Sequence, residues 1–460
     1  MISCLELNNG KTTVLKRNVI EMKKWLFIAA ATMIILISTS AYSSSGEIPN
    51  LSDAQSDPKT LELMQGFPPN PEKRVMLPDS NFFSFPNLRW SVCHMRELLP
   101  TASIERAVAG YSPLTYSLVE GIDEVAFTPM HAKTAMSWQE SLAENYTDGL
   151  LILHQGHIVY ESYRGCLDAH TKHAAMSMTK SVTGLIAEIL IAQGKLDEFA
   201  IVKDIVPELT RSAFGDATVR QVMDMTTSLA YSENYADPKA DIWQYSAAAN
   251  PLPKPLDYTG PVGYFEYLQT VKKAGVHGDA FGYKTVNTDA LGWILSRVTG
   301  KKFNVLVSEL LWQPLGMEMS ADITVDGLGI PFAGGGLSAT LRDLGRLGLA
   351  IANDGTVNGV QVIPKRAIDS IRLGGSKAAF AKAGYKTMPN GSYRSMWWHF
   401  HNEHGAFAAR GVHGQTIYID PTAKMIIVRF ASHPVASNSV IDPTSLPAYE
   451  AIARFLMNRE

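Results

Sequence analysis

Between Val182 and Leu190 the apolar positions Val182, Leu185, Ile186, Ile189 and Leu190 recur at spacings of three and four, which predicts a helix with one buried face. Residues 149–161 run apolar, turn at Gln155-Gly156 and run apolar again, the pattern of a β-hairpin. A second hairpin is predicted from residues 415–419 and 425–430 around an Asp420-Pro421 turn. Thr218 with Gln221, and Thr340 with Asp343, place a hydroxyl three residues before a polar or acidic side chain, as at helix N-termini. An amphipathic stretch at residues 137–145 precedes the first hairpin, and a helix over residues 447–458 closes the chain. Strands near both ends with helices between them imply one sheet assembled from distant segments, so the predicted fold class is α+β.

Composition adds scale and compartment. The 460 residues are 46% hydrophobic and 18% charged, enough for a large core in one large or two intertwined domains. Met22-Lys23-Lys24, an apolar run to Ile37 and the small residues Ser38-Thr39-Ser40-Ala41 predict a secretory signal at about 22–41, with residues 1–21 an upstream extension or the product of a mis-set start. The expected location is periplasmic or secreted; the alternative is an uncleaved N-terminal membrane anchor, for which the apolar run is short. Removing residues 1–41 takes the net charge from −3 to −6. No nucleic-acid partner is expected from that balance. Cys93 and Cys166 would survive cleavage, and the sequence leaves open whether they pair or stay as buried thiols.

Candidate chemistry lies at the head of the first helix. Ser177-Met178-Thr179-Lys180 sets a hydroxyl and an amine on one face one turn apart. Desolvation would favour the neutral amine, which can then act as the base a serine nucleophile needs. The same spacing at Ser56-Asp57-Pro58-Lys59 falls in a polar, proline-bearing run without apolar period and is discarded.

Other segments give the motif its context: Gly66-Phe-Pro-Pro69, Arg89-Trp-Ser91, Asp148-Gly-Leu-Leu151, Val206-Pro-Glu-Leu209, Glu233-Asn-Tyr-Ala-Asp-Pro238, Phe281-Gly-Tyr283, Asn287-Thr-Asp-Ala-Leu-Gly292, Gly335-Gly-Leu-Ser-Ala-Thr340 and Val412-His-Gly-Gln415. In order and spacing the chain resembles the serine β-lactamase and penicillin-binding superfamily, within it the 6-aminohexanoate-dimer hydrolase-like branch. The resemblance implies a β-lactamase/transpeptidase-like fold, an antiparallel sheet flanked by helices, with an inserted helical subdomain at about 177–330. The hydrolase domain would span 131–460, after a lead at 46–130 and the extension and signal within 1–45.

That resemblance also implies roles. Ser177 would be the nucleophile, with Lys180 and Tyr283 sharing its proton; Tyr283 matches a Tyr-x-Asn or Tyr-x-Ser element, though Thr285 stands third and Asn287 lies two further on. The N–H groups of Ser177 and Val412 would form the oxyanion hole, and Gly411, Asn287 and Tyr235 would contact substrate. Ala409-Arg410-Gly411 occupies the place of Lys-Thr-Gly or His-x-Gly, so the cation that holds a β-lactam carboxylate is missing at Ala409; Arg410 either partly replaces it or faces solvent, pointing away on the strand. The implied activity is cleavage of a small amide or ester through an acyl-enzyme, without metal or organic cofactor. Two readings stand beside it: a D-amino-acid peptidase or penicillin-binding type acting on peptidoglycan, and a non-catalytic penicillin-recognising module. His399-Phe-His401-Asn-Glu403-His404 offers a zinc alternative, with His399 and His401 expected on one strand face. The absence of Gly-x-Ser-x-Gly argues against an α/β-hydrolase.

Overall fold

The structure is a computed structural model that describes residues 51–77 and 82–459. The signal-like segment at 22–41 lies outside the described residues. Helix α1 (Trp138–Glu144) starts with a Ser137–Glu140 capping box. Strands β1 (Thr147–His154) and β2 (His157–Tyr163) then form the first predicted hairpin, with Gln155 and Gly156 at positive φ in its turn. A short strand β3 (His173–Ala174) leads into helix α2 (Met178–Ala192), which buries Val182, Leu185, Ile186, Ile189 and Leu190 as the periodicity predicts. Burying a branched aliphatic side chain contributes roughly 1.5–3 kcal/mol, so this face anchors the helix firmly.

The middle of the chain is helical. Helix α3 (Val219–Met223) carries the Thr218–Gln221 capping box, followed by α4 (Asp241–Ala249), α5 (Gly263–Thr270) and α6 (Val286–Thr299). Strands β4 (Ala321–Thr324) and β5 (Leu337–Ala339) follow, then α7 (Leu341–Ala352), capped by Thr340, whose hydroxyl accepts from the Asp343 N–H. The C-terminal part supplies β6 (Ser392–Arg394), β7 (Trp397–His399), β8 (Phe407–Gly411), β9 (Gln415–Asp420) and β10 (Met425–Ala431), and closes with α8 (Asp442–Met457). That helix begins five residues earlier than the sequence suggested. Pro443 occupies its first turn, where the missing N–H costs nothing, and Pro447 is carried further inside.

Strands β6 to β10 pair in sequence, β10 pairs antiparallel with β1, and β1 pairs with β2. One antiparallel sheet is thus joined from the two distant hairpins, as the α+β reading requires. Its strands are covered on both faces: Leu151 and Leu153 enter the core shared with α2 and α7, while Leu150 and Ile152 enter the one under α8 and α1. A second sheet of four strands, Thr101–Ile104, β4, β5 and β3 in that order, carries the entry to α2.

The lead before residue 131 is built into both sheets, through Thr101–Ile104 in the small one and Thr115–Tyr116 at the edge of the large one. Arg89 fixes it from beneath. Only 1% exposed, its guanidinium reaches Asp53 at 2.7 Å and Asp148 at 3.1 Å, and donates to Ser56 Oγ and Ser432 Oγ. Cys93 and Cys166 are joined in a disulfide across 73 residues of sequence, which settles the pairing the sequence left open. Non-reducing peptide mapping is expected to recover the Cys93 and Cys166 peptides linked. Replacing both by serine should cost about 2–4 kcal/mol in denaturant unfolding, the usual value for a cross-link closing a long loop; an unchanged midpoint would deny the bond a structural role.

Candidate active site

The chain turns sharply from β3 into α2. Ala175 N–H donates to Leu337 O of β5 at 2.8 Å, and Thr179 closes the turn by donating from Oγ1 to Met176 O at 2.6 Å and accepting from Leu337 N–H at 3.2 Å. Met176 takes φ of +48°, a left-handed conformation that costs a methionine of order 1 kcal/mol and persists where its surroundings over-determine it. Ser177 follows as the N-cap of α2, 9% exposed.

Lys180 lies one turn along the same face, 1% exposed, and its Nζ donates to Ser177 Oγ at 2.9 Å and to Gly334 O at 2.6 Å. Burial pulls its pKa down to about 8, against the opposing charges of Glu233 and Asp289. Tyr283, just before α6, brings its ring centroid to 5.2 Å from Lys180 Nζ, with its phenol close enough to feel the Ser177 hydroxyl. Burial, helped by Glu233, pushes the phenol pKa well above its usual value, while the nearby Ser177 hydroxyl works in the opposite direction. Hydroxyl, amine and aromatic ring therefore gather in one place, brought together by α2 and the segment before α6.

Across from them runs the end of β8. Gly411 approaches so closely that a Cβ there would lie 2.8 Å from Ala175 O and 3.0 Å from Ser177 N, which explains a glycine at this position. Among the described residues neither the Ser177 nor the Val412 N–H donates to any other group. Two backbone donors near a hydroxyl that carries a base can stabilise an oxyanion formed by acyl transfer.

The remaining sequence-predicted residues separate into rim and core. Tyr235 sits half-buried and donates its phenol proton to Glu233 Oε1 at 2.8 Å. Glu233 accepts in turn from the Thr285 hydroxyl at 2.6 Å and from the Thr285 N–H, so Thr285, the departure from the Tyr-x-Asn pattern, is the clasp that holds this loop to the start of α6. Asn287 is not brought to the site. Wholly buried, it accepts from Thr227 Oγ1 at 2.5 Å and donates to Lys284 O at 3.1 Å, so its amide braces α6 from within. Arg410 neither faces solvent nor offers a free charge: it is 9% exposed, bonded to Asp442, and its guanidinium lies 5.6 Å over the Trp398 ring.

The histidine-rich stretch does not converge. Strand β7 ends at His399, and His401 has left the strand with φ of +52°, so the two do not share a strand face. His401 Nε2 meets Ser392 Oγ at 2.7 Å and His404 Nδ1 meets Asp420 at 2.7 Å. Among the described residues no group of three or more histidine, cysteine, aspartate or glutamate side chains is arranged to hold a metal ion. Sequence reasoning missed Glu233, Asp289 and the Gly334 carbonyl as neighbours of Lys180. Their only signal was membership of, or adjacency to, motif segments whose spacing is not periodic.

Compared with known proteins, residues 140–444 match the beta-lactamase family model. The chain is 34% identical over 350 residues to a 6-aminohexanoate-dimer hydrolase of Paenarthrobacter ureafaciens, covering 76% of this chain and 86% of that one. A solved structure from Bacillus anthracis, provisionally titled a 6-aminohexanoate-dimer hydrolase, superposes with a TM-score of 0.74 at 32% identity, covering 82% of this chain and 97% of its own. A Bacteroides dorei structure provisionally titled a β-lactamase shares the fold at 16% identity, TM-score 0.52, over 67% of this chain and 95% of its own.

Gly411→Ala is expected to lower kcat on a short-chain p-nitrophenyl ester by roughly 10²-fold, the usual loss when one oxyanion donor is displaced. Circular dichroism should show the fold intact; wild-type kcat would mean that the close approach of β8 to Ser177 is not needed.

Proposed function

The chain belongs to the beta-lactamase family and is a 6-aminohexanoate-dimer hydrolase-like serine hydrolase; from that premise we propose that it is an exported enzyme cleaving small amides or esters through an acyl-enzyme on Ser177. The observation that carries this reading is the 2.9 Å contact of the Lys180 amine with Ser177 Oγ, with the Tyr283 ring centroid 5.2 Å from the same amine. Lys180 is the first base, because burial lowers its pKa while it raises that of Tyr283. The Ser177 proton passes to Nζ as Oγ attacks the carbonyl carbon. The Ser177 and Val412 N–H groups hold the oxyanion. Tyr283, within reach of both Ser177 and Lys180, delivers the proton to the leaving amine or alcohol, and water then releases the acid by the same groups in reverse.

Several features bear on substrate and place. Ala409 carries no cation, and Arg410 is committed to Asp442, so the carboxylate of a penicillin finds no free guanidinium on β8. Neutral acyl groups are favoured accordingly. Tyr235, on the loop clasped by Glu233, takes the role the family resemblance gives it, a hydrogen bond to the substrate or leaving amine. Export rests on the signal-like residues 22–41 and is supported by the Cys93–Cys166 bond, which suits an oxidising compartment.

A fluorescent acylating probe is expected to label the wild type and leave Ser177→Ala unlabelled; equal labelling of both would end the serine reading. A short-chain p-nitrophenyl ester should turn over faster than penicillin, and the reverse order would show that β8 still recognises a carboxylate. Because the base must be neutral and its pKa is lowered to about 8, kcat/KM should rise with pH through the region of pH 8 and fall below it; a profile flat from pH 6 to 9 would exclude Lys180 as the titrating base.

A further inference from the structure

Joined to Lys180 through Gly334 is a carboxylate that the proposed chemistry does not use. Asp289 sits in the first turn of α6, 2% exposed. Its Oδ1 accepts from the Gly334 N–H at 3.1 Å and its Oδ2 from the Tyr245 phenol of α4 at 2.5 Å, itself 1% exposed. Gly334 is the residue whose carbonyl receives the Lys180 ammonium or amine proton at 2.6 Å. A side chain there is sterically barred: a Cβ would lie 2.8 Å from Asp289 Oδ2 and 2.6 Å from Thr285 Cγ2. The Gly334 N–H and the Tyr245 phenol are neutral donors, and the cation that acts on Asp289 electrostatically is Lys180. An acidic group buried among neutral partners is costly.

We propose that Asp289 is a positioning residue for Lys180: through Gly334 it fixes the direction of the amine, and its carboxylate supplies the opposing charge as the ammonium forms during acylation. This rests on the serine hydrolase reading above and adds a third layer to it. The proton leaves Ser177 Oγ for Lys180 Nζ and departs later through Tyr283 to the leaving group; Asp289 never receives it. What Asp289 changes is the cost of having a positive charge in a sealed site. Burial pushes its pKa up to about 7, with the Tyr245 bond and Lys180 working against that shift. The groups facing the pair are Glu233 from the loop after residue 230 and Tyr283 around Lys180, and Tyr231, Tyr245 and Tyr264 around Asp289. Among these, Glu233 and Asp289 are the acids that favour the ammonium.

The test is the pH profile of kcat and KM on a p-nitrophenyl ester for Asp289→Asn, Tyr245→Phe and Ser177→Ala. Asparagine can still accept from the Gly334 N–H but carries no charge, so the acidic limb of kcat should move to lower pH by about one unit, with kcat down ~10-fold or more and KM within about twofold. Tyr245→Phe removes the donor that keeps Asp289 ionised and should move the limb the same way by less. A loss of rate in Asp289→Asn with the limb unmoved, or wild-type profiles in both variants, overturns the proposal. If Asp289→Asn does not fold, Tyr245→Phe decides: a shifted limb supports the role and an unmoved one overturns it. An inactive Ser177→Ala beside unmoved limbs retires Asp289 alone; an active Ser177→Ala retires the serine reading itself.

Discussion

Everything in this site depends on holding one primary amine out of water beside a hydroxyl. A lysine in bulk solvent is an ammonium ion with no lone pair to give, and only desolvation on the scale seen at Lys180 brings the neutral amine within reach of ordinary pH. That burial opposes folding unless the amine is given partners. The Gly334 carbonyl and the Ser177 hydroxyl are those partners, and both come from segments whose positions are set elsewhere: Gly334 from the loop before β5, Ser177 from the turn after β3. Strands β3 and β5 are neighbours in the small sheet, so the two groups that satisfy the amine are carried on adjacent strands. The small sheet, rather than the large one, is what aims the lysine.

The backbone on the opposite side of Ser177 is held by parts of the chain that look peripheral. Met176 with its positive φ, Ala174, Leu88, Val92 and Met95 form a small cluster, and Cys93, Cys166 and Val412 pack against it. The disulfide and Val412 therefore pack on the cluster that holds Met176, the residue before Ser177. Ala174 N–H donates to Val92 O at 2.7 Å, so the N-terminal lead also braces β3 directly. Strain at Met176 is sustained by this packing. Part of a lead that reads as an appendage in sequence is, in space, packed against the turn that leads into Ser177.

Periodicity carried the parts of this fold that depend on burial. Helix α2, the two hairpins and the capped starts at Thr218 and Thr340 were legible because local pattern and tertiary packing agree there. Ser177 and Lys180 were legible for the same reason, since one helical turn fixes their separation. Tyr283 required the resemblance to a family, because no periodic rule links residues 106 positions apart. Illegible in both ways were pairings between polar groups distant in sequence: Glu233 with Thr285, Arg410 with Asp442, Asn287 with Thr227. In each case a polar residue near the site was free to face substrate or protein, and which it chose depends on whether a partner happens to be buried opposite. Asn287 shows the error this invites: a residue two positions beyond the expected motif place was credited with a substrate contact, while the helix turns it inward by its register in α6.

The same reasoning explains why the change at Ala409 is not compensated by its neighbour. In a strand successive side chains point to opposite faces, so Arg410 stands on the other side of β8 from Ala409. There it meets Asp442 at the start of α8 and the face of Trp398, and freeing it to bind a substrate carboxylate would leave Asp442 buried and unpaired. Breaking a buried pair costs roughly 3–5 kcal/mol, more than one new exposed ion pair returns. The arginine is thus held by thermodynamics as well as by geometry. Loss of the cation at 409 then acts alone, and on the proposed reading selectivity passes from charge recognition to the fit of an uncharged acyl group between Gly411 and the loop clasped by Glu233 and Thr285.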